Sequence, residues 1–477
     1  MQLSDIKVVY FIGIGGIGMS AIARYFNERG VAVHGYDKTS TVLTRNLEAE
    51  GMQIHYEDKV SLIPENVDLV VWTPAIKQLE ELEFFQKSNI PLKKRAEVLG
   101  IISQGMKCVA IGGTHGKTTT SALTAHLLKV GELDNVALLG GIAENYQSNY
   151  ISGKGEWVVV EADEFDRSFL WLHPDIAVVT SMDADHLDIY GTDEEIKKSF
   201  HQFANQTKVG GVVFTKPELP LSIDSQGVRK EVYEVSLDKD KSKNKKKSKS
   251  LAPSPSEKVL QRGFFSKNLR SKNGFFAFDF YSPTRKILNL EYTQPGAHNV
   301  ENATVAVAIA LELGVTEEKI REGLQTFKGI KRRFDFVVKN ENVVYIDDYA
   351  HHPTELNAAI ASARMLYPKK RILGIFQPHL YSRTNDFQDG FAASLDKLDE
   401  ILLMDIYPAR ELPMEGVTSK IVFDKMQNPN KQQVTKENLL EILKSCKYDV
   451  ILTLGAGDID LLINPIRDLL ELKIENE

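Results

Sequence analysis

The run Met106-Lys107-Cys108-Val109-Ala110-Ile111-Gly112 leads straight into Gly113-Thr114-His115-Gly116-Lys117-Thr118-Thr119-Thr120. A short apolar run, a glycine-bearing loop and then a helix-forming stretch constrain the fold more than any other feature. The order predicts a buried parallel strand whose loop delivers backbone N–H groups and a helix N-terminus to an anion. Lys117 adds a point charge for β- and γ-phosphates, and Thr118 adds a hydroxyl that Mg²⁺ can take as a ligand. The strict phosphate-loop pattern has glycine six residues before the lysine, where this chain has Ile111, so the loop is a shortened form starting at Gly112 or Gly113. Gly112, Gly113, Thr114, His115, Gly116, Lys117, Thr118 and Thr119 are the nucleotide-binding candidates.

The same grammar occurs once before. Residues 7–14 predict a strand, Ser20 to Arg29 a helix stopped by Gly30, and Val31 to Asp37 a second strand. The connecting loop places Gly13, Gly15, Gly16 and Gly18 in G-x-G-x-x-G spacing, suited to a pyrophosphate, with Asp37 closing the next strand. Taken alone, this half fits an NAD(P)-dependent oxidoreductase. A signal-peptide reading of Val8 to Ser20 fails on four glycines in the run and on Asp5 before it.

A chain of 477 residues exceeds one core. Further strands are predicted at 68–73, 156–161, 176–180, 343–347, 371–376 and 449–454, with a helix from Asn299 to Leu313. The expected fold is α/β, with three consecutive α/β domains: Rossmann-like N-terminal (1–103), P-loop ATPase-like central (104–328) and Rossmann-like C-terminal (329–477). The lysine-rich tract from Asp238 to Lys258 cannot bury a core and reads as a solvated insert. A net charge of −7 argues against a nucleic-acid partner, and no apolar run is long enough for membrane insertion. Two distant cysteines, Cys108 and Cys446, point to a reducing, cytoplasmic setting.

Acids follow the strand at 156–161: Glu161, Asp163, Glu164 and Asp166, at the end where open α/β sheets bind ligands. Asp185-His186 follows the next strand, so His186 is a second candidate metal ligand. Asn299 and Asn302 lie one helical turn apart on a shared face. Tyr349 and His351 alternate on one side of an extended loop, while His352 before Pro353 suits a helix cap.

GIGGIGM (13–19), GTHGKTTT (113–120), EADEFDRSFL (161–170), DADHLD (183–188), HNVENA (298–303), KRRFD (331–335), DDYAHHPTE (347–355) and FQPHLYSRT (376–384) occur in this order. The set resembles the bacterial Mur ligases along nearly the whole chain, and most resembles the branch that adds L-alanine to UDP-N-acetylmuramate. The resemblance implies an ATP- and Mg²⁺-dependent ligation through an acyl phosphate, in peptidoglycan precursor synthesis, by a monomer or homodimer. It implies Lys117 on the ATP phosphates, Thr118 and Glu161 on one Mg²⁺, and His186 on a second. Asn299 and Asn302 would meet adenine, Arg333 the phosphates, and Asp348 the nucleotide. Tyr349, His351, His379 and Arg383 would surround the alanine, with Arg383 on its carboxylate. Catalysis would rest on Lys117, Glu161, His186, Arg333, His351 and Arg383. The pyrophosphate at Gly13–Gly18 would then be that of UDP. Related ligases usually carry Gly-Ser-Asp where this chain has Gly35-Tyr36-Asp37. The rivals are a murein-peptide recycling ligase, the oxidoreductase, and a catalytically silent UDP-sugar binder; retention of Lys117, Glu161 and His186 speaks against the last.

Overall fold

The computed structural model describes residues 3–183, 187–236, 263–272, 275–409 and 411–475. The insert at 238–258, and with it the sequence reading of that tract, lies outside the described residues. Among the described residues the strands form three sheets of five, ten and six members.

The first sheet comprises β1 (Val8–Ile12), β2 (Ala32–Tyr36), β3 (Gln53–His55), β4 (Leu69–Trp72) and β5 (Leu92–Lys94). They lie all parallel in the order β3-β2-β1-β4-β5. Helices α1 (Ile17–Glu28), α2 (Val42–Ala49), α3 (Glu80–Lys87) and α4 (Arg95–Gln104) alternate with them. Strand order reverses between β1 and β4, which opens a ligand crevice at the end of β1, where Gly13 begins the loop. The predicted helix at Ser20 starts three residues earlier, at Ile17, because Gly16 already serves as its N-cap.

The second sheet follows β6 (Lys107–Gly112), α5 (Lys117–Val130), β7 (Asn135–Ala143), β8 (Ser148–Ile151), β9 (Trp157–Ala162) and β10 (Ile176–Val179). After α6 (Leu187–Tyr190) and α7 (Asp193–Asn205) come β11 (Val212–Thr215), β12 (Arg229–Val235), β13 (Phe264–Lys272), β14 (Phe275–Tyr281) and β15 (Lys286–Tyr292). Its order is β15-β14-β13-β12-β11-β10-β6-β9-β7-β8. Strand β6 is buried from Cys108 to Gly112 and sits between β9 and β10, so both neighbours present their C-terminal ends beside its loop. Helices α8 (Ala297–Glu312) and α9 (Glu317–Thr326) follow. Strands β7, β8 and β11 to β15 were absent from the sequence reading, although the buried positions Phe276, Phe278 and Phe280 on β14 carry a period-two signal.

The third sheet contains β16 (Asp335–Lys339), β17 (Val344–Asp348), β18 (Ile372–Phe376), β19 (Glu400–Met404), β20 (Lys431–Val434) and β21 (Val450–Leu454), ordered β16-β17-β21-β18-β19-β20. Strands β17 and β18 flank β21 in parallel. Helices α10 (Pro353–Leu366), α11 (Tyr381–Asp386), α12 (Gln388–Leu395), α13 (Lys420–Lys425), α14 (Leu439–Ser445) and α15 (Ile463–Glu475) complete it. The α/β class and its three sheets in series agree with the sequence expectation. By compactness, residues 270–276 and 292–300 group with 329–477 in one unit, and the rest of the chain forms another. Neither cysteine is in a disulfide, and among the described residues no helix is long and apolar enough to cross a membrane.

Candidate functional site

The central loop is braced from beneath. Gly113 has φ +133°, and a Cβ there would lie 2.0 Å from Thr180 Oγ1, so only glycine lets the chain pass the end of β10. His115 N donates to Ser181 Oγ at 2.8 Å, Thr114 Oγ1 lies 2.9 Å from the same oxygen, and His115 Nε2 is 3.1 Å from Asp183. Gly116 N-caps α5, and Asn302 approaches it so closely that a Cβ would meet its Oδ1 at 2.7 Å. Asn299, buried a turn earlier, donates to Pro295 O at 2.7 Å.

Lys117 opens α5 and points back across the loop. Its Nζ donates to Gly113 O at 2.7 Å and sits 3.0 and 2.8 Å from the two oxygens of buried Glu164. Burial pulls the ammonium's pKa down, but Glu164, Glu161 and Asp163 outweigh it and hold the group above the ordinary lysine value. The cation is therefore permanent. Glu161 pairs in register with Ile111 of β6 and accepts from Gly140 N at 3.0 Å. The Thr118 hydroxyl at the start of α5 and the Glu161 carboxylate near the end of β9 are hard oxygen donors, the donor type that fits Mg²⁺. Among the described residues no cluster of three or more His, Cys, Asp and Glu gathers for a metal, and His186 lies outside the described residues.

The first loop has a different neighbourhood. Gly13 N and Ile14 N donate to Tyr36 O at 2.8 and 3.1 Å, which ties the loop to the end of β2. Asp37 Oδ2 accepts from Gly15 N at 2.8 Å, so a Cβ on Gly15 would strike both that carboxylate and Thr44. Arg95 at the start of α4 approaches Gly18 and pairs with Asp163 at 3.0 Å, joining this loop to the acids after β9. Neighbouring Lys94 pairs with Asp166 at 3.1 Å.

The third sheet gathers another set at the C-terminal ends of β17, β18 and β21. Arg332 and Phe334 adopt left-handed φ of 63° and 51°. Asp348 steadies that bend by accepting from Phe334 N and Ala350 N at 2.7 and 2.8 Å; burial raises its carboxyl to about 7 against the opposing pull of Arg333. Arg332 is spent structurally, on buried Asp347 at 3.0 Å and Gly455 O at 2.8 Å. Both guanidinium groups lie over the Tyr349 ring, that of Arg332 at 5.2 Å and that of Arg333 at 5.0 Å. Tyr349 packs edge-on to His351 with centroids 5.4 Å apart, and His351 lies 6.1 Å from His379. Buried Arg383 approaches His379 Nδ1 at 3.5 Å. His352 caps α10, its side chain accepting from Thr354 N at 3.3 Å.

The structure thus brings Glu161 within electrostatic reach of Lys117, which Thr118 follows at the start of α5, and gathers Arg333, Asp348, Tyr349, His351, His379 and Arg383 in another set. Sequence reasoning passed over Glu164 as the partner of Lys117, Arg95 as a link between loops, and Thr180 and Ser181 as braces. The acid three residues after Glu161 was a usable signal for the first; nothing local in the sequence marks the others.

Comparison with known proteins adds three sequence-model matches: Mur ligase family, catalytic domain, over residues 8–107; Mur ligase middle domain over 111–310; and Mur ligase, glutamate ligase domain, over 332–457. The chain is 48% identical to a UDP-N-acetylmuramate–L-alanine ligase of Flavobacterium johnsoniae, covering 99% of this chain and 100% of that protein. A protein of the same name from Parabacteroides distasonis is 45% identical, covering 98% of each chain. The crystal structure of the UDP-N-acetylmuramate–alanine ligase of Thermotoga maritima superposes with a TM-score of 0.77 at 26% identity, over 98% of this chain and 99% of that one.

Proposed function

The chain belongs to the Mur ligase family, and from that premise we infer that it joins L-alanine to UDP-N-acetylmuramate at the expense of ATP, a step of peptidoglycan precursor synthesis. The observation that carries this reading is the 48% identity, over 99% of the chain, to a protein bearing that name. The site supplies the chemistry.

A carboxylate is a poor acyl donor until one of its oxygens leaves as phosphate. ATP therefore phosphorylates the lactyl carboxylate, and the alanine amine then attacks the acyl phosphate and releases phosphate. Positioning and charge neutralisation do most of the work. Lys117 offers its permanent cation to the β- and γ-phosphates, while loop residues Gly112 to Thr119 offer N–H groups and the start of α5. Thr118 and Glu161 would hold Mg²⁺, which when bound neutralises phosphate charge; His186 is assigned to a second ion on resemblance alone. Asn299 and Asn302 are assigned to adenine, Asp348 to the nucleotide through the bend it steadies, and Arg333 to the phosphates. Gly13, Gly15, Gly16, Gly18 and Asp37 serve the UDP end, with Asp37 acting by shaping the loop through Gly15. Tyr349, His351, His379 and Arg383 receive the amino acid, whose carboxylate matches the guanidinium of Arg383. The proposed domains are 1–103 for the UDP-sugar, 104–328 for ATP and 329–477 for the amino acid.

Phosphate release from ATP, Mg²⁺ and UDP-N-acetylmuramate, measured with L-alanine, with a murein tripeptide or with neither, tests the reading. Stimulation by L-alanine is expected. Stimulation by the tripeptide alone would assign the chain to peptide recycling instead.

A further inference from the structure

The two histidines of the third-sheet cluster face opposite hydrogen-bonding demands. His351 Nδ1 lies 2.9 Å from the carbonyl oxygen of Tyr349 and 3.3 Å from Glu355 Oε2. A carbonyl and an ionised carboxylate only accept, so Nδ1 must carry a hydrogen and Nε2 is the atom that gains or loses a proton. His379 is reversed. Its Nδ1 faces the Arg383 guanidinium at 3.5 Å, a group that only donates, so Nδ1 is the acceptor and the hydrogen belongs on Nε2. Of the two, only His351 keeps a basic lone pair on Nε2.

Glu355 arranges this. It lies in the first turn of α10, and its Oε2 also accepts from His351 N at 3.0 Å, gripping both the backbone and the ring. It is 16% exposed and His351 is 17% exposed, so the contact is sheltered but open to a small ligand. We propose that His351 Nε2 accepts the proton shed by the incoming ammonium group, and that Glu355 is the positioning residue that fixes its tautomer and orientation. This rests on the reading of the chain as an L-alanine ligase.

The step balances without an added reagent. Alanine arrives as an ammonium ion and gives one proton to Nε2. The freed lone pair forms the C–N bond at the acyl-phosphate carbon. As the tetrahedral adduct collapses, the C–O bond to phosphate breaks with its electron pair on the phosphate oxygen, and that oxygen takes the second N–H proton, leaving the amide and hydrogen phosphate. The surrounding charges suit a base that is neutral at pH 7. Burial lowers the His351 pKa, Glu355 raises it, Arg383 lowers it, the Tyr349 carbonyl raises it and Arg333 lowers it again. His379 faces it from the loop after β18, and Asp348 and His298 complete the set around Arg333 and Glu355.

A helix-capping role for Glu355 makes a different prediction, which Glu355→Gln separates. The amide oxygen still accepts from His351 N but the charge is gone. The proposal expects kcat for L-alanine to fall about 10- to 100-fold, the KM values for ATP and UDP-N-acetylmuramate to hold, and the acid limb of the pH–kcat profile to move to lower pH. An unchanged rate and acid limb, or equal losses for all three substrates, overturns it. Nitrogen NMR of the full-length protein, with His351 assigned through His351→Gln, reads the tautomer without relying on the Glu355 variant. A hydrogen on Nδ1 of the neutral ring is expected, and a hydrogen on Nε2 overturns the proposal. Wild-type enzyme indifferent to L-alanine would refute the functional reading itself, whereas alanine-stimulated wild type with an unshifted variant refutes only this inference.

Discussion

Two loops in this chain, Gly13–Gly18 after β1 and Gly113–Gly116 after β6, share one backbone grammar and differ in the charges set around them. Each follows a buried parallel strand and opens a helix, so each turns N–H groups and a positive helix end toward an anion. The second carries Lys117, doubly held by Gly113 O and Glu164, with Thr118 next to it on α5 and Glu161 on the neighbouring strand β9. The first has no lysine at the helix start. It has Asp37 locked onto Gly15 N and Arg95 beside Gly18. Backbone geometry is enough to hold a pyrophosphate that is never cleaved. The proposed phosphoryl transfer calls for a lysine at the helix start and oxygen donors for a metal as well. The second loop offers Lys117, Thr118 and Glu161, whereas at the first the Asp37 carboxylate is engaged by Gly15 N and Arg95 by Asp163.

The sharpest way to break that comparison is Lys117→Ala. It should reduce kcat for phosphate release by about 1,000-fold, the scale of losing a preorganised charge at the transition state. UDP-N-acetylmuramate affinity, measured by calorimetry, should stay within about 2-fold. Loss of sugar-nucleotide affinity would show that the loops do not divide the labour as described. Next in size is a matched pair. Gly113→Ala forces a Cβ against Thr180 and should raise the KM for ATP by about 10- to 100-fold, while Gly15→Ala forces one against Asp37 and Thr44 and should weaken UDP-N-acetylmuramate by about 10-fold. Each should leave the other ligand alone, and crossed effects would merge the two sites.

The smallest effect separates the helices behind the loops. On α1, Arg24 is held by Glu50 at 2.7 Å, whereas α5 carries His126, bonded to Tyr146 at 2.9 Å and Thr326 at 3.0 Å. Burial lowers His126 to about 4 from 6.5. The folded state then binds fewer protons than the unfolded one between those values, so its contribution is complete above pH 6.5 and fades as pH falls toward 4. The loss is at most about 3 kcal/mol. Thermal melts from pH 7 to pH 4.5 should show a steeper decline for wild type than for His126→Gln. Parallel slopes would place the acid sensitivity elsewhere.

The sequence alone carried the α/β class, both loops, Lys117 at a helix start and the acids from Glu161 onward at a strand end, whereas Tyr349 and Arg383 followed only from the resemblance to the family. The pattern signals are local: an apolar run, a glycine at a fixed offset, a charge at the end of a strand or the start of a helix. It could not separate Arg332 from Arg333, since adjacent arginines look alike until Asp347 and Gly455 O, distant in the chain, claim one of them. Nor could it link Arg95 to Asp163 or Lys117 to Glu164, because those pairings exist only once β6 and β9 lie side by side in one sheet and the start of α4 comes up to the segment after β9. The tautomers of His351 and His379 belong to the same class. A ring nitrogen takes its role from whichever donor or acceptor the fold brings to it, and tertiary structure alone decides that partner.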